Sequence, residues 1–164
     1  MLVRAVTYAT LFVGLLLVVV PARVLAWSGL PARPAIGVAQ IAGMAIATVG
    51  GALALWCILA FVFVGRGTPA PFDPPRRLVV QGPYRFVRNP MYLGAVIALL
   101  GAAVSYGSAA LALYAGAFLL LTNAFVVTYE EPTLRTTFGE DYERYCAEVG
   151  RWRPRLYARP GKRS

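Results

Sequence analysis

The chain has 164 residues, 59% of them apolar, and a formal charge of +9 from 16 Lys and Arg against 7 Asp and Glu, with no histidine. That length allows one domain, and the apolar share is too high for an ordinary soluble one. The basic residues gather beside long uncharged runs, where anionic headgroups account for them, which argues against a nucleic-acid partner. With no His/Cys cluster there is no metal site to expect, and Cys57 and Cys146 are not expected to pair.

The first apolar run, Ala5 to Val20, reaches Trp27 if Arg23 snorkels to the headgroups, and is then long enough to cross a bilayer. Arg4 ahead of it also suits a signal peptide, but no small-x-small cleavage site follows and further spans remain. The second run, Ile36 to Val64, has no charge and exceeds one perpendicular crossing, so it must tilt or extend. Thr68 to Pro75 is proline-rich and reads as an extended connector. Met91 to Val104 and Ala109 to Thr128 are separated by Ser105-Tyr106-Gly107-Ser108 and read as a helical hairpin. Small residues at four-residue intervals mark faces for close helix packing: Ala39, Gly43, Ala47 and Gly51; Gly94, Ala98 and Ala102; Ser108, Ala112 and Gly116. Such faces serve packing within the chain or a homodimer.

Charge sets the orientation. Arg66, Arg76, Arg77, Arg85 and Arg88 lie between the second and third runs, and eight basic residues from Arg135 to Arg163 follow the fourth, against Arg23 and Arg33 after the first. The positive-inside rule places the central loop and both termini in the cytoplasm. The expected fold is therefore an all-α integral membrane protein with four transmembrane helices. A C-terminal interfacial helix is expected from Thr133 to Val149, with Phe138, Tyr142, Tyr145 and Val149 on one face and Gly139 at or before its first turn. The segment from Arg151 to Ser164, with Pro154 and Pro160, is expected to lie extended along the interface or fray.

Within the central loop, Gly82-Pro83 marks a turn and Asn89-Pro90 a helix start, with Asn89 as the cap. The hairpin brings Arg88 and Asn89 beside Tyr129, Glu130 and Glu131 at one membrane face. Plainer roles stand beside functional ones. Arg85 and Arg88 suit positive-inside anchors, and Glu130 and Glu131 suit solvated partners for them. Tyr84, Tyr92 and Tyr129 suit an aromatic belt, and Asn89 suits a cap alone. On the residues alone, the reading ends at a membrane protein with a cytoplasmic polar cleft.

The run Gly82-Pro83-Tyr84-Arg85-Phe86-Val87-Arg88-Asn89-Pro90-Met91-Tyr92-Leu93-Gly94 resembles the signature of the isoprenylcysteine carboxyl methyltransferase and phospholipid methyltransferase family. That signature is Gly-Pro-Tyr, three variable residues, Arg-His-Pro, one variable residue, Tyr, one variable residue, Gly; Asn89 stands in the histidine's place. Glu130-Glu131-Pro132-Thr133-Leu134, the Phe138-Gly139, Tyr142 and Tyr145 element, and Val149-Gly150-Arg151-Trp152-Arg153-Pro154 are similar to later family elements, with Gly150 replacing a frequent proline. The resemblance covers residues 66–155, read as the methyltransferase core, after an N-terminal helix pair (1–65) and before a basic tail (156–164).

The resemblance implies methyl transfer from S-adenosylmethionine to a membrane-soluble acceptor at the cytoplasmic face of a bacterial inner membrane. The acceptor would be a prenylated or other hydrophobic carboxylate, or a lipid amine. It implies a cofactor pocket of Gly82, Pro83, Tyr84, Arg88, Asn89, Pro90, Tyr92, Gly94, Tyr129, Glu130 and Glu131, with Arg88, Asn89 and Glu131 as the catalytic set. Arg88 suits the carboxylate of the methionine moiety, Glu130 or Glu131 its ammonium or the ribose, and the tyrosines the adenine or sulfonium. Glu131 would accept the proton of an amine acceptor. Asn89 cannot ionise near neutral pH, so the chemistry must do without a histidine base. The competing expectation is a non-catalytic member that keeps the fold as a lipid-binding or interaction partner. A transporter is disfavoured, since no run carries an ionisable residue that would mark an ion path.

Overall fold

A computed structural model describes residues 14–29, 36–65 and 77–154. The start of the first run, most of the proline-rich connector and the tail from Arg155 lie outside the described residues.

Five helices follow in order: α1 (Leu15–Trp27), α2 (Val38–Gly65), α3 (Pro90–Tyr106), α4 (Ala109–Phe138) and α5 (Glu140–Glu148), and the described residues form no sheet. α2 and α4, of 28 and 30 residues, are long and apolar enough to cross a membrane. At about 1.5 Å per residue each is over 40 Å long, against a hydrocarbon layer of about 30 Å. α3 has 17 residues and the described part of the first run is shorter, so length and composition identify two of the four expected spans. The exposed sides of α2 and α4 carry Ile41, Val49, Leu55, Leu113, Leu120 and Leu121, an apolar mantle of the kind lipid covers.

Local chemistry sets the helix ends. Pro90 occupies the first turn of α3, where its missing N–H costs no bond. α3 stops at Gly107, whose φ of 60° is a left-handed cap that suits glycine. Ser108 then opens α4, its Oγ accepting from Leu111 N at 3.3 Å. The expected hairpin is thus made by a two-residue turn.

α2 and α3 form the tightest seam. Gly43, Ala47, Gly50 and Ala54 face Gly94, Ala98, Gly101 and Ser105, and a Cβ on Gly43, Gly50 or Gly101 would collide with the opposing backbone. The expected rows are corrected here. Ala39 and Gly51 are exposed, Ala102 stands outside the seam, and on α4 Ala112 and Gly116 face outward while Leu111, Ala115, Phe118 and Thr122 are buried. A repeat of four drifts about 40° round the helix at each step, whereas alternating four and three stays on one face.

The helix expected over Thr133–Val149 is divided. α4 runs on through Phe138, Gly139 breaks it at φ 52°, and α5 follows. Tyr142, Tyr145 and Val149 do share a face, but it packs on Leu78, Leu134 and Phe138 of the protein itself. The outer side of α5 presents Glu140, Asp141, Glu143 and Glu148. No apolar stripe remains on this helix for lipid.

Of the segment expected to lie extended or fray, only residues 151–154 are described, and its start is tied to the loop. Gly150 bridges Val87 in parallel, with Arg88 N donating to Gly150 O at 2.9 Å and Asn89 N to Arg151 O at 3.3 Å. This C-terminal strap joins the loop before α3 to residues 62 positions later in the chain.

Candidate functional site

The loop before α3 closes on itself through a 3-10 turn, Gly82–Arg85. Gly82 has φ 59° and approaches Trp56 of α2, a place where a side chain would be strained. Tyr84 is buried with its ring edge-on to Phe61 at 5.2 Å, and its carbonyl accepts from Tyr145 Oη at 2.6 Å. Burial, then the neighbouring Cys57, push its phenol well above the usual tyrosine range. Pro83 and Pro90 are buried as turn and helix start. Gly94 is taken up by the α2–α3 seam, where a Cβ would stand 2.8 Å from Ala54 N.

Asn89 is buried but does not cap α3 with its side chain; Nδ2 instead donates to Arg151 O at 3.4 Å. Its φ of −121° and ψ of 52° turn the amide toward the strap. Asn89 therefore serves the joint between loop and strap.

At the other side of the site, α4 contains a π-helical turn, Val126–Glu130. Such a wide turn adds a residue and shifts the register of everything after it. Two adjacent carboxylates are thereby both engaged inside the protein. Glu130 Oε2 accepts from Tyr92 Oη at 3.2 Å. Glu131, only 3% exposed, is held by three arginines. Arg151 grips it with both prongs (Nε to Oε1 2.7 Å, Nη2 to Oε2 2.8 Å), Arg88 Nη1 meets Oε1 at 3.1 Å, and Arg135 Nη2 lies 3.8 Å from Oε2. The guanidinium of Arg151 is held more firmly protonated, first by its hydrogen bond to Glu131.

Arg88 also donates from Nη1 to Cys146 Sγ at 2.6 Å, while its Nε is buried with no hydrogen-bond partner among the described residues. Glu130 has no cation paired with it among those residues. The site thus combines an unsatisfied buried N–H on a fixed cation with a carboxylate held by a phenol. Such donors and acceptors fit a zwitterionic amino-acid group, the head of S-adenosylmethionine among them.

The structure brings Arg88 and Asn89 to the same end of the hairpin as Glu130 and Glu131, as hairpin geometry predicts, and Tyr92 joins them there through its bond to Glu130. Tyr129 stands at the same end beside Glu130, 45% exposed, with its ring stacked on Phe125 at 5.3 Å. Sequence reasoning misses Arg151, Cys146, and the pair in which Trp152 Nε1 donates to Asn123 Oδ1 at 2.9 Å. One signal was present: Asn123 is the lone amide in the fourth apolar run, and an amide in such a place needs a partner.

A model of the family described as phospholipid methyltransferase matches residues 38–141, from the start of α2 across the loop, hairpin and both carboxylates. No curated protein and no solved structure matches the chain.

Proposed function

Because the chain belongs to the phospholipid methyltransferase family, we propose that it transfers a methyl group from S-adenosylmethionine to a membrane-soluble acceptor, a lipid amine or a hydrophobic carboxylate. In this reading four helices cross the membrane, and the termini and the site face the cytoplasm, as the arginine distribution favours. The observation that carries it is that the same end of the hairpin holds both a buried Arg88 Nε with no hydrogen-bond partner among the described residues and Glu130, bound by Tyr92.

Arg88 would hold the carboxylate of the methionine moiety through its Nε edge, and Glu130, oriented by Tyr92, its ammonium group. The cofactor supplies a methyl group already activated by positive sulfur. The protein's part is then alignment and exclusion of water, effects that lower such a barrier by up to roughly 10 kcal/mol in favourable cases. The apolar mantle of α2 and α4 faces the lipid from which an acceptor would come. A carboxylate acceptor needs no base. For an amine acceptor we move the proton-accepting role from Glu131 to Glu130, since both Glu131 oxygens are occupied by guanidinium groups. Asn89 acts here by fixing the strap, not as a base.

The test is calorimetric binding of S-adenosylmethionine to protein in nanodiscs, with an Arg88→Ala, Glu130→Ala variant as control. Saturable binding that the variant loses is the expected result, followed by methylation in a screen of lipid amines and prenylated carboxylates. Asn89 in the histidine's place favours a second reading, a non-catalytic member that binds lipid or a partner. Folded wild-type protein that binds no cofactor would select it.

A further inference from the structure

The turn at Gly82–Arg85 lies along the flank of α2 rather than over its end. A Cβ on Gly82 would stand 3.5 Å from Trp56 Nε1, the ring of Tyr84 meets Phe61, and Val79 and Tyr84 pack with Cys57 among Leu53, Ala60 and Val64. From Trp56 to the last residue of α2, Gly65, is about 14 Å along the helix. The chain therefore carries the turn back down an apolar helix, beside the face where Trp56, Leu59 and Phe63 stand exposed at helical spacing.

The outer side of this turn exposes an aromatic ring and a cation together. Phe86 is 54% exposed, and the guanidinium of exposed Arg85 lies over its ring, 4.8 Å from the centroid. Arg85 forms no ion pair among the described residues, whereas Arg88, Arg135, Arg144 and Arg151 each meet a carboxylate. The sequence from Arg76 to Pro90 has no acidic residue, and Arg77 is exposed as well. In water such a ring stays uncovered and such a cation unneutralised. At the boundary between acyl chains and headgroups both find partners: the ring covers hydrocarbon, and the planar guanidinium, lying flat on the ring, keeps its N–H edges for a phosphate.

We propose that this outer face of the turn binds a glycerophospholipid of the adjoining leaflet, with Arg85 on its phosphate and Phe86 and Trp56 against the upper part of its acyl chains. It requires α2 to cross a membrane but needs no bound cofactor, so it stands or falls separately from methyl transfer.

The experiment is native mass spectrometry of the full chain released from detergent micelles doped with phosphatidylglycerol, phosphatidylcholine or a galactosyl diacylglycerol of the same acyl chains. Thermal unfolding of each variant without added lipid controls for folding. For the first lipid bound, wild-type protein is expected to favour both phospholipids over the phosphate-free lipid roughly fivefold, as one arginine at a lipid phosphate implies. Arg85→Ala should lose most of that preference, and Arg85→Lys, a point charge without the planar fork, should keep part of it. Phe86→Ser should weaken all three lipids alike, by roughly threefold or more, since the ring meets chains rather than headgroups. Arg144→Ala, which removes an exposed arginine paired with Asp141, should change nothing. Excess inorganic phosphate should not displace the lipid. Equal binding of phosphate-bearing and phosphate-free lipids, a preference undiminished in folded Arg85→Ala, or displacement by inorganic phosphate overturns the proposal. So does a wild-type dimer that Phe86→Ser dissociates, since a second copy of the chain would then cover this face.

Discussion

Gly50 and Gly51 are neighbours on α2, and replacing each in turn with alanine should move stability in opposite directions. A Cβ on Gly50 would stand 2.6 Å from Gly94 O and 2.9 Å from Ile97 C, with Ala98 N closer still, whereas one on Gly51 would meet nothing within 4 Å. Ordinary carbon contacts are about 3.5–4.0 Å, so Gly50→Ala forces the helices apart by up to about 1 Å, a gap that forfeits a quarter to a half of each contact's attraction. Overpacking of this kind costs about 1–3 kcal/mol. Gly51→Ala only removes backbone freedom from a helix interior, which should stabilise by about 0.5–1 kcal/mol. Reversible unfolding of both variants in mixed micelles, monitored by helix signal, measures the difference. The seam described above would be refuted if the two substitutions shifted stability in the same direction by similar amounts.

Trp152→Phe and Asn123→Ala each remove one partner of a hydrogen bond that ties the strap to α4. Each should cost about 1–2 kcal/mol, and the pair should cost about 1 kcal/mol less than the sum, whereas strict additivity in a double-mutant cycle would deny the contact. Alkaline pH should loosen the loop and strap. Tyr84, Tyr142 and Tyr145 all have phenols raised chiefly by burial, so the folded protein keeps protons that the unfolded chain loses above the ordinary value of about 10. Stability is therefore full below that pH and falls above it, by up to about 1.4 kcal/mol per pH unit for each tyrosine. Phenolate absorbance rising at the ordinary pH while the protein stays folded would contradict this burial.

How much of this could be read from the sequence depended on distance along the chain. The Ser105–Ser108 break and the Asn89-Pro90 start are local, and both mark helix boundaries in the structure. The convergence of Arg88 with Glu131 follows from hairpin geometry and was likewise legible. The choice of partners was not. Asn89 looked like a cap because Asn-Pro before an apolar run usually is one, yet its amide serves Arg151, 62 residues on. Glu131 looked available because nothing nearby in sequence fills both its oxygens; Arg151 does, from a basic segment whose composition resembled a positive-inside flank. The amphipathic face of α5 was visible, but periodicity does not say whether lipid or Leu78 and Leu134 cover it. Small-residue spacing gave α2 and α3 with half of their seam residues and misplaced a row on α4, since only the three-dimensional seam selects Gly50 over Gly51.

The π-helical turn at Val126–Glu130 has a consequence for how α4 can vary. Upstream of it, the rotational phase of the helix is set by Leu111, Ala115, Phe118 and Thr122 against the bundle; downstream, by the demands of Tyr92 on Glu130 and of the arginines on Glu131. A helix of uniform pitch would lock these two phases together, and any drift in one half would misalign the other. The π-helical turn sets a fixed offset between them, as a splice does between two lengths of screw thread cut to different starts. One continuous helix can therefore pack Leu111, Ala115, Phe118 and Thr122 against the bundle and still turn both carboxylates toward their partners.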